Sequence, residues 1–217
     1  MCDPKKIGQC AYCGRNLPVT DDHIPPKNLF PKPRSSNLIT VPCCIPCCQG
    51  WSKDDEYFRA AILSSTKVSG EPLAQGVIEP LLRSVARSQG FAKLLIERIK
   101  EIELVTESGI YLGKDEALEL DVMRIDRVAQ RIIRGLFFHE KHFPLPTNYQ
   151  VIAKIQQFGI EPILEKLQGI NLIELRIIQD GVFCYTFSDT DEDPNSGIWL
   201  LLFYKNLSIV GFTRPHQ

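Results

Sequence analysis

The stretch between residues 10 and 56 decides how the first part of the chain folds. It reads Cys10-Ala11-Tyr12-Cys13, Asp22-His23-Ile24-Pro25-Pro26, Asn37-Leu38, Cys43-Cys44-Ile45-Pro46-Cys47-Cys48 and Ser52-Lys53-Asp54-Asp55-Glu56. Prolines at positions 25, 26, 31 and 33 exclude a helix between the two groups of cysteines. A segment this irregular buries too little apolar surface to fold unaided, so the sequence predicts a bound metal as its support.

Cysteine spacing identifies the ligands of that metal. Seven of the eight cysteines lie within the first 48 residues, which indicates metal ligands rather than disulfides when no secretory signal is evident. Zinc prefers four tetrahedral ligands, and two CxxC pairs supply four thiolates. The expected structural zinc ligands are therefore Cys10, Cys13, Cys44 and Cys47. Pairing Cys43 with Cys47, or Cys44 with Cys48, remains a less common alternative for the second half of the site.

The bulk composition is that of an ordinary globular protein. The chain has 217 residues, of which 44% are hydrophobic and 24% charged, with a formal net charge of −1. That length suffices for one sizeable core and a small metal-stabilised module. No window reaches the roughly 18 apolar residues of a membrane span, and the first residues lack the core of a secretory signal, so we expect a cytoplasmic protein without membrane contact. The near-zero charge neither supports nor excludes nucleic-acid binding, because a local basic patch suffices.

Two domains are predicted, residues 1–60 and residues 61–217. A helix begins near Ser52 or Asp54, where consecutive acidic residues suit the positive N-terminus of a helix. Apolar periodicity predicts further helices over residues 74–88, 91–103, 121–138 and 161–168. The segment around Gly109 is predicted to be a weak strand or a loop, and the rest of residues 147–170 is ambiguous.

After Asn171 the pattern changes from helical to β. Alternation and apolar runs predict strands over residues 173–177, 182–187, 198–204 and 207–212. Asp180-Gly181 and Lys205-Asn206 supply turns between them, and the continuous apolar run at 198–204 suits a central strand. Helices over about 74–138 followed by antiparallel strands over about 173–213 make the fold class α+β.

The helix predicted over residues 121–138 carries a stripe of arginines opposite its apolar face. The arginine stripe consists of Arg124, Arg127, Arg131 and Arg134. Such a stripe can follow the phosphates of a nucleic-acid backbone, or it can contact a partner. A solvated helix face is the more common outcome.

The order of motifs between residues 8 and 58 resembles that of the HNH endonuclease family. In the ββα-metal motif of that family, an Asp-His-Ile/Val-x-Pro segment lies on the first strand, an Asn-Leu follows, and a CxxC opens the helix. The corresponding residues here are Asp22-His23-Ile24-Pro25-Pro26, Asn37-Leu38 and Cys44-Ile45-Pro46-Cys47. The resemblance implies a small zinc-stabilised ββα-metal module over residues 1–60, followed by the larger domain of helices and antiparallel sheet.

The resemblance also implies roles for individual residues. His23 is expected to be the general base that removes a proton from water, with Asn37 holding its ring in orientation. Asp22 is expected to bind a catalytic Mg²⁺ or Mn²⁺ that stabilises charge on the scissile phosphate. The implied reaction is hydrolysis of phosphodiester bonds in nucleic acid, with double-stranded DNA as the expected partner.

One position departs from the family pattern, because Cys48 stands where a His or Asn usually supplies the other metal ligand. A thiolate binds Mg²⁺ poorly but binds softer divalent metals well. Three interpretations stay open: Cys48 binds a softer catalytic metal, Asp54 or Asp55 supplies the carboxylate instead, or the site is inactive. The last corresponds to an alternative function, a non-catalytic zinc module that binds nucleic acid or a protein.

Basic residues near the motif are candidates for contact with nucleic acid. They are Lys27, Lys32, Arg34 and Lys53, the first three in the loop between His23 and Asn37. Residues 61–217 carry no motif that we recognise, and we expect them to position the substrate, to form a homodimer or to bind a protein partner.

Overall fold

The first part of the chain forms a three-stranded antiparallel sheet followed by helices. The computed structural model describes residues 6–106, 108–156, 161–167, 169–190 and 192–216. The sheet has the order β1-β2-β3 and consists of β1 (Lys6–Gln9), β2 (Asn16–Ile24) and β3 (Ile39–Cys44). It leads into α1 (Ile45–Cys48) and α2 (Trp51–Leu63), so the helix expected near Ser52 or Asp54 begins at Trp51.

The middle of the chain contains helices and one exposed hairpin. Its elements are α3 (Thr66–Ser69), α4 (Pro72–Arg87), α5 (Gln89–Ile96), β4 (Ile99–Val105), β5 (Tyr111–Leu118) and α6 (Val122–Lys141). The helix predicted over 91–103 was wrong beyond Ile96, because residues 99–105 pair with 111–118 around a turn at Gly109. The apolar residues there fit a helical period, but Ile102 and Leu104 also alternate with Glu101 and Glu103, as in a strand. Pairing with residues 111–118 decides in favour of the strand.

The last part of the chain forms a five-stranded antiparallel sheet in the order β6-β10-β9-β8-β7. Its strands are β6 (Tyr149–Gln156), β7 (Arg176–Gln179), β8 (Phe183–Asp189), β9 (Gly197–Phe203) and β10 (Leu207–Pro215), with α7 (Glu161–Lys166) after β6. The apolar run on β9 lies at the centre, as predicted. Strand β6 was left ambiguous from sequence; it pairs with β10, whose residues are distant in the chain. The predicted end of the helix at 168 lies outside the described residues.

Helix α6 packs its apolar face against the five-stranded sheet and its neighbours. Two glycines allow this close approach. A Cβ on Gly135 of α6 would lie 2.6 Å from Cγ1 of Ile24 on β2, and one on Gly211 of β10 would lie 2.1 Å from Cδ1 of Ile133 on α6. The helix therefore touches both sheets, and it brings the end of β2 into the main core.

One hydrophobic core contains residues from both predicted domains. Phe58 of α2 packs edge-on against Phe203 of β9 with ring centroids 5.9 Å apart, and Tyr204 donates a hydrogen bond to the carbonyl of Leu29. Helix α2 itself crosses the predicted boundary between residues 60 and 61. The division into two domains stays a prediction. Helices and antiparallel sheets coexist as the α+β class requires, and none of the described helices is long and apolar enough to cross a membrane.

Candidate metal centre and its surroundings

Four thiols converge at one end of the three-stranded sheet. The four-thiol cluster consists of Cys10, Cys13, Cys44 and Cys47, whose Sγ atoms all lie within 4.8 Å of one another. The Sγ atoms of Cys13 and Cys44 are 3.7 Å apart. Ligands at about 2.3 Å from a tetrahedral zinc lie about 3.8 Å from each other, so this arrangement fits such an ion. The cluster could therefore hold a metal such as zinc, with the ligands expected from CxxC spacing.

Local backbone geometry brings the two pairs of cysteines together. The chain reverses after Cys13 at Gly14, whose φ of +71° is a conformation that glycine adopts without strain. The amide of Gly14 donates to the carbonyl of Cys10 at 2.9 Å, which closes the first CxxC turn. Strand pairing sets Val19 opposite Cys44, and the amide of Cys44 donates to Sγ of Cys10 at 3.4 Å. The second pair therefore lies beside the first because β3 ends at Cys44.

The protonation of these thiols is uneven. A hydrogen bond from the Cys43 thiol lowers the pKa of Cys10 to about 3, although burial opposes this. Burial raises the pKa of Cys44 and of Cys47. Cys43 was an alternative ligand from sequence, but it lies outside the four-thiol cluster; its thiol donates to the carbonyl of Cys44 at 3.5 Å and also interacts with Cys10. A donor of this kind stabilises a ligating thiolate.

Asp22 and His23 are adjacent on β2 and therefore point to opposite faces of the strand. Asp22 accepts a hydrogen bond from the Tyr12 hydroxyl at 2.6 Å, and burial raises the pKa of its carboxyl. His23 is half-buried; burial, and then the charge of Lys27, lower the pKa of its imidazole below 6.5. The ring of His23 is therefore neutral near pH 7.

Asn37 lies in the exposed loop before β3. Its backbone N–H donates to Oγ of Ser35 at 3.1 Å, and its side-chain Oδ1 accepts from Oγ of Ser36 at 3.5 Å. The structure brings Asn37 into contact with these two serines, and the expected support of His23 by Asn37 stays a prediction.

The four basic candidates are all exposed, namely Lys27, Lys32, Arg34 and Lys53. Arg34 donates from Nε to the carbonyl of Lys27 at 3.1 Å, and the charges of both residues lower the pKa of His23. Lys53 lies apart from this group in the first turn of α2. Lys27 and Arg34 are therefore the basic residues grouped with His23.

Much of the arginine stripe of α6 packs against α2, so the expectation of a solvated face was wrong except at Arg127, whose side chain is 56% exposed. The expected contact of the stripe with nucleic acid or a partner stays a prediction. Arg124 and Arg127 both bind the carboxylate of Asp54, with nitrogen–oxygen distances of 2.8 and 3.2 Å. Arg134 donates to the carbonyl of Tyr149 at 3.0 Å. Sequence periodicity identified the shared face correctly, but the acidic partners come from a helix about 70 positions earlier in the chain.

Arg131 is the most enclosed member of the stripe. Its side chain is 6% exposed, it pairs with the carboxylate of Asp55, and its guanidinium lies 4.5 Å from the ring centroid of Trp51. Its charge also acts on Asp22, where it opposes the rise in pKa caused by burial. One buried cation thus interacts electrostatically with carboxylates on both β2 and α2.

These contacts limit which side chains are available to bind a second metal ion. Asp54 and Asp55 are already paired with arginines, and Sγ of Cys48 donates to the carbonyl of Ile45 at 3.6 Å. Across the described ranges, the four-thiol cluster is the one group of three or more His, Cys, Asp or Glu side chains gathered closely enough to hold an ion.

Two aromatic residues near Asp22 were not predicted from the sequence to belong to the site. Tyr12, within the first CxxC, binds Asp22, and its ring packs edge-on against Trp51 at 4.9 Å. Trp51 in turn carries the guanidinium of Arg131. The position of Tyr12 between two cysteines was the available signal, because it fixes the side chain next to the metal centre.

Comparisons of the chain with protein-family models, curated proteins and solved structures gave no match.

Proposed function

We propose that this protein is an HNH-type, metal-dependent endonuclease that hydrolyses phosphodiester bonds in DNA. The observation that carries the proposal is that Asp22 and His23 are consecutive residues of β2, with their side chains on opposite faces of the strand. That strand pairs with β3, which runs into the helices and ends at the four-thiol cluster. A rigid strand supported by a metal centre is a suitable base for two catalytic side chains.

His23 would act as the general base. Its half-exposed, neutral imidazole can accept a proton from an attacking water. Lys27 and Arg34, whose charges reach His23, would contact phosphates on either side of the scissile bond. Asn37 would orient the ring from the loop before β3.

Asp22 would supply the carboxylate for the catalytic cation. Mg²⁺ commonly binds proteins through one or two carboxylates and completes its shell with water and substrate phosphates, so one carboxylate is sufficient. When bound, such an ion would stabilise the negative charge that develops on the scissile phosphate. Cys48 suits this role only for a softer ion.

The buried cation Arg131 favours a second candidate function. Its charge already compensates Asp55 and acts on Asp22, so the need for a metal ion beside Asp22 is smaller. In this alternative the module holds one structural zinc and binds nucleic acid or a protein without catalysis. Metal content separates the two proposals: both require one tightly held zinc per chain, and a second, exchangeable ion is required only by the nuclease.

The decisive experiment is nicking of supercoiled plasmid by the purified protein with Mg²⁺, Mn²⁺ or Ni²⁺. We expect His23→Ala to lower the rate by about 100-fold or more, the usual contribution of a general base. His139→Ala is the matched control, because His139 is exposed on α6 and lies outside the proposed site. Absence of nicking with every metal, or equal rates for His23→Ala and wild type, rejects the nuclease.

The pH dependence gives a further test of the role of His23. A general base works when deprotonated, so the rate should rise with pH and reach half its plateau below pH 6.5. Because the charge of Lys27 helps to lower the pKa of His23, Lys27→Gln should move that midpoint upward. An unchanged midpoint would show that another group controls the rate.

A further inference from the structure

A cavity of about 420 Å³ lies between the loop that follows β2 and the helices α2 and α4. Gly76 of α4 permits the close approach that shapes it, because a Cβ there would lie 3.0 Å from Cβ of Pro31. We call this cavity the basic pocket. Its polar lining consists of Asn28, Lys32, Arg34, Arg59, Glu79 and Arg83.

The basic pocket carries an excess of positive charge. Four of its lining residues are cationic and one, Glu79, is anionic. Glu79 is already paired with Arg83 one helical turn away. In a chain whose net charge is −1, four cations around one cavity are a local concentration that attracts anions.

Arg59 lies at the inner wall of the basic pocket. Its side chain is 9% exposed, and its Nε is buried without a hydrogen-bond partner. The nearest carboxylate, on Glu56, is 3.8 Å from Nη2 and also accepts a hydrogen bond from Ser84. A desolvated guanidinium normally makes several short charge-assisted bonds, so its charge is incompletely compensated.

A second buried polar atom at the same pocket lacks a partner. Asn28 donates from Nδ2 to the carbonyl of Asp55 at 3.3 Å, but its Oδ1 is buried without a donor. Buried polar atoms of this kind are uncommon in folded proteins, and each calls for a ligand or an ordered water. An anion offers no donor to the Asn28 oxygen, so it is the incompletely compensated charge of Arg59, beside three further cations, that favours an anionic ligand in the basic pocket.

We propose that the basic pocket binds a phosphate group, with Arg59 at its base and Lys32, Arg34 and Arg83 at its rim. Guanidinium groups match the oxygens of phosphate through pairs of parallel hydrogen bonds, and the volume accommodates a phosphate with its attached sugar or waters. The same chemistry is offered by a phosphodiester of nucleic acid and by a free phosphate.

The basic pocket connects to the proposed catalytic residue through Arg34. Arg34 lines the pocket, binds the carbonyl of Lys27, and its charge lowers the pKa of His23. Arg34 is therefore shared by the basic pocket and the group of basic residues around His23. Binding by the pocket does not require catalysis, so its test is independent of the nuclease.

The test measures binding by the full-length, zinc-loaded protein without added Mg²⁺ or Mn²⁺. The probes are a fluorescein-labelled double-stranded DNA, followed by anisotropy, and inorganic phosphate, followed by ³¹P line broadening. We expect Arg83→Gln and Arg34→Gln each to weaken binding about ten-fold, as expected for loss of a charge-assisted contact. Both residues are exposed, so these variants should fold, whereas the buried Arg59 is less suitable for substitution.

Arg87→Gln is the matched control, since Arg87 is exposed on the same helix one turn beyond Arg83 and does not line the pocket. Weaker binding of DNA only assigns the site to a phosphodiester backbone, and weaker binding of phosphate only assigns it to a free phosphate. If Arg83→Gln and Arg34→Gln bind both probes as Arg87→Gln does, the pocket is not a phosphate site. That result would not reject the nuclease, because plasmid nicking is measured separately.

Discussion

Replacing Arg131 by methionine should destabilise the protein far more than the same change at Arg127. Methionine retains an unbranched apolar stem but lacks the guanidinium, so the substitution removes the charge together with its contact with the ring of Trp51. Arg131 is buried and compensates Asp55, whereas Arg127 is 56% exposed and shares Asp54 with Arg124. The two variants therefore compare a buried and an exposed ion pair on one helix.

The magnitude follows from the enclosure of each pair. Removing one partner of a buried ion pair costs about 3–5 kcal/mol. The side chain of Asp55 retains 21% exposure, which allows partial hydration and favours the lower end. We therefore expect Arg131→Met to lose about 3 kcal/mol of unfolding free energy, including its contact with the ring of Trp51. Arg127→Met should lose about 0.5 kcal/mol.

Urea unfolding at pH 7 in excess zinc, followed by the fluorescence of Trp51 and Trp199, measures both values. The pH dependence adds a second observable. Burial already raises the pKa of Asp55 to about 6, above its ordinary 3.8, so the folded state holds this proton more tightly than the unfolded state. Stability from this group is present below pH 4 and lost as pH rises through about 6.

Without Arg131 the pKa of Asp55 should rise further. The loss of unfolding free energy in Arg131→Met, relative to wild type, should therefore become smaller as the pH falls from 8 to 5, because a protonated Asp55 needs no cation. Adding Asp55→Asn to Arg131→Met should recover part of the loss, because it removes the uncompensated charge. A deficit below 1 kcal/mol, equal to that of Arg127→Met, would refute the account of Arg131 as a buried counter-ion.

Two further predictions concern the metal centre and the packing of α6. Cys44→Ser should abolish the binding of one zinc per chain, as measured by elemental analysis. Cys43→Ser should retain it, because Cys43 lies outside the four-thiol cluster. Loss of zinc in both variants would contradict the assignment of ligands. Gly135→Ala should lower the unfolding free energy by about 1–3 kcal/mol, since its Cβ would overlap Ile24, while Gly90→Ala, with open space around it, should be neutral or stabilising by about 0.5 kcal/mol. Equal melting temperatures for the two alanine variants would show that α6 can shift away from β2.

Local signals predicted many of the elements of this fold. CxxC spacing identified the four thiols that converge, and apolar periodicity identified α6 and the central strand β9. The failures occurred where a distant partner decides the structure. Residues 99–105 form a strand because residues 111–118 pair with them, and β6 forms beside β10.

The candidate site was predictable to a similar extent. The sequence identified Asp22 and His23 as neighbours, and strand alternation separates their side chains. It did not reveal that Tyr12 binds Asp22, or that the arginine stripe faces Asp54 and α2. Such contacts join positions that are far apart in the chain, and periodicity states which face they share but not what that face meets.

The sequence by itself therefore determined which four thiols converge at the candidate metal centre, because CxxC spacing groups them in two pairs that one turn and one strand register bring together. It also determined the face of α6 that carries the arginines. Only the tertiary structure decided what those arginines do: Arg131 lies between α2 and β2 as a buried cation. Charge compensation depends on distance in space, and the fold rather than the local sequence sets that distance.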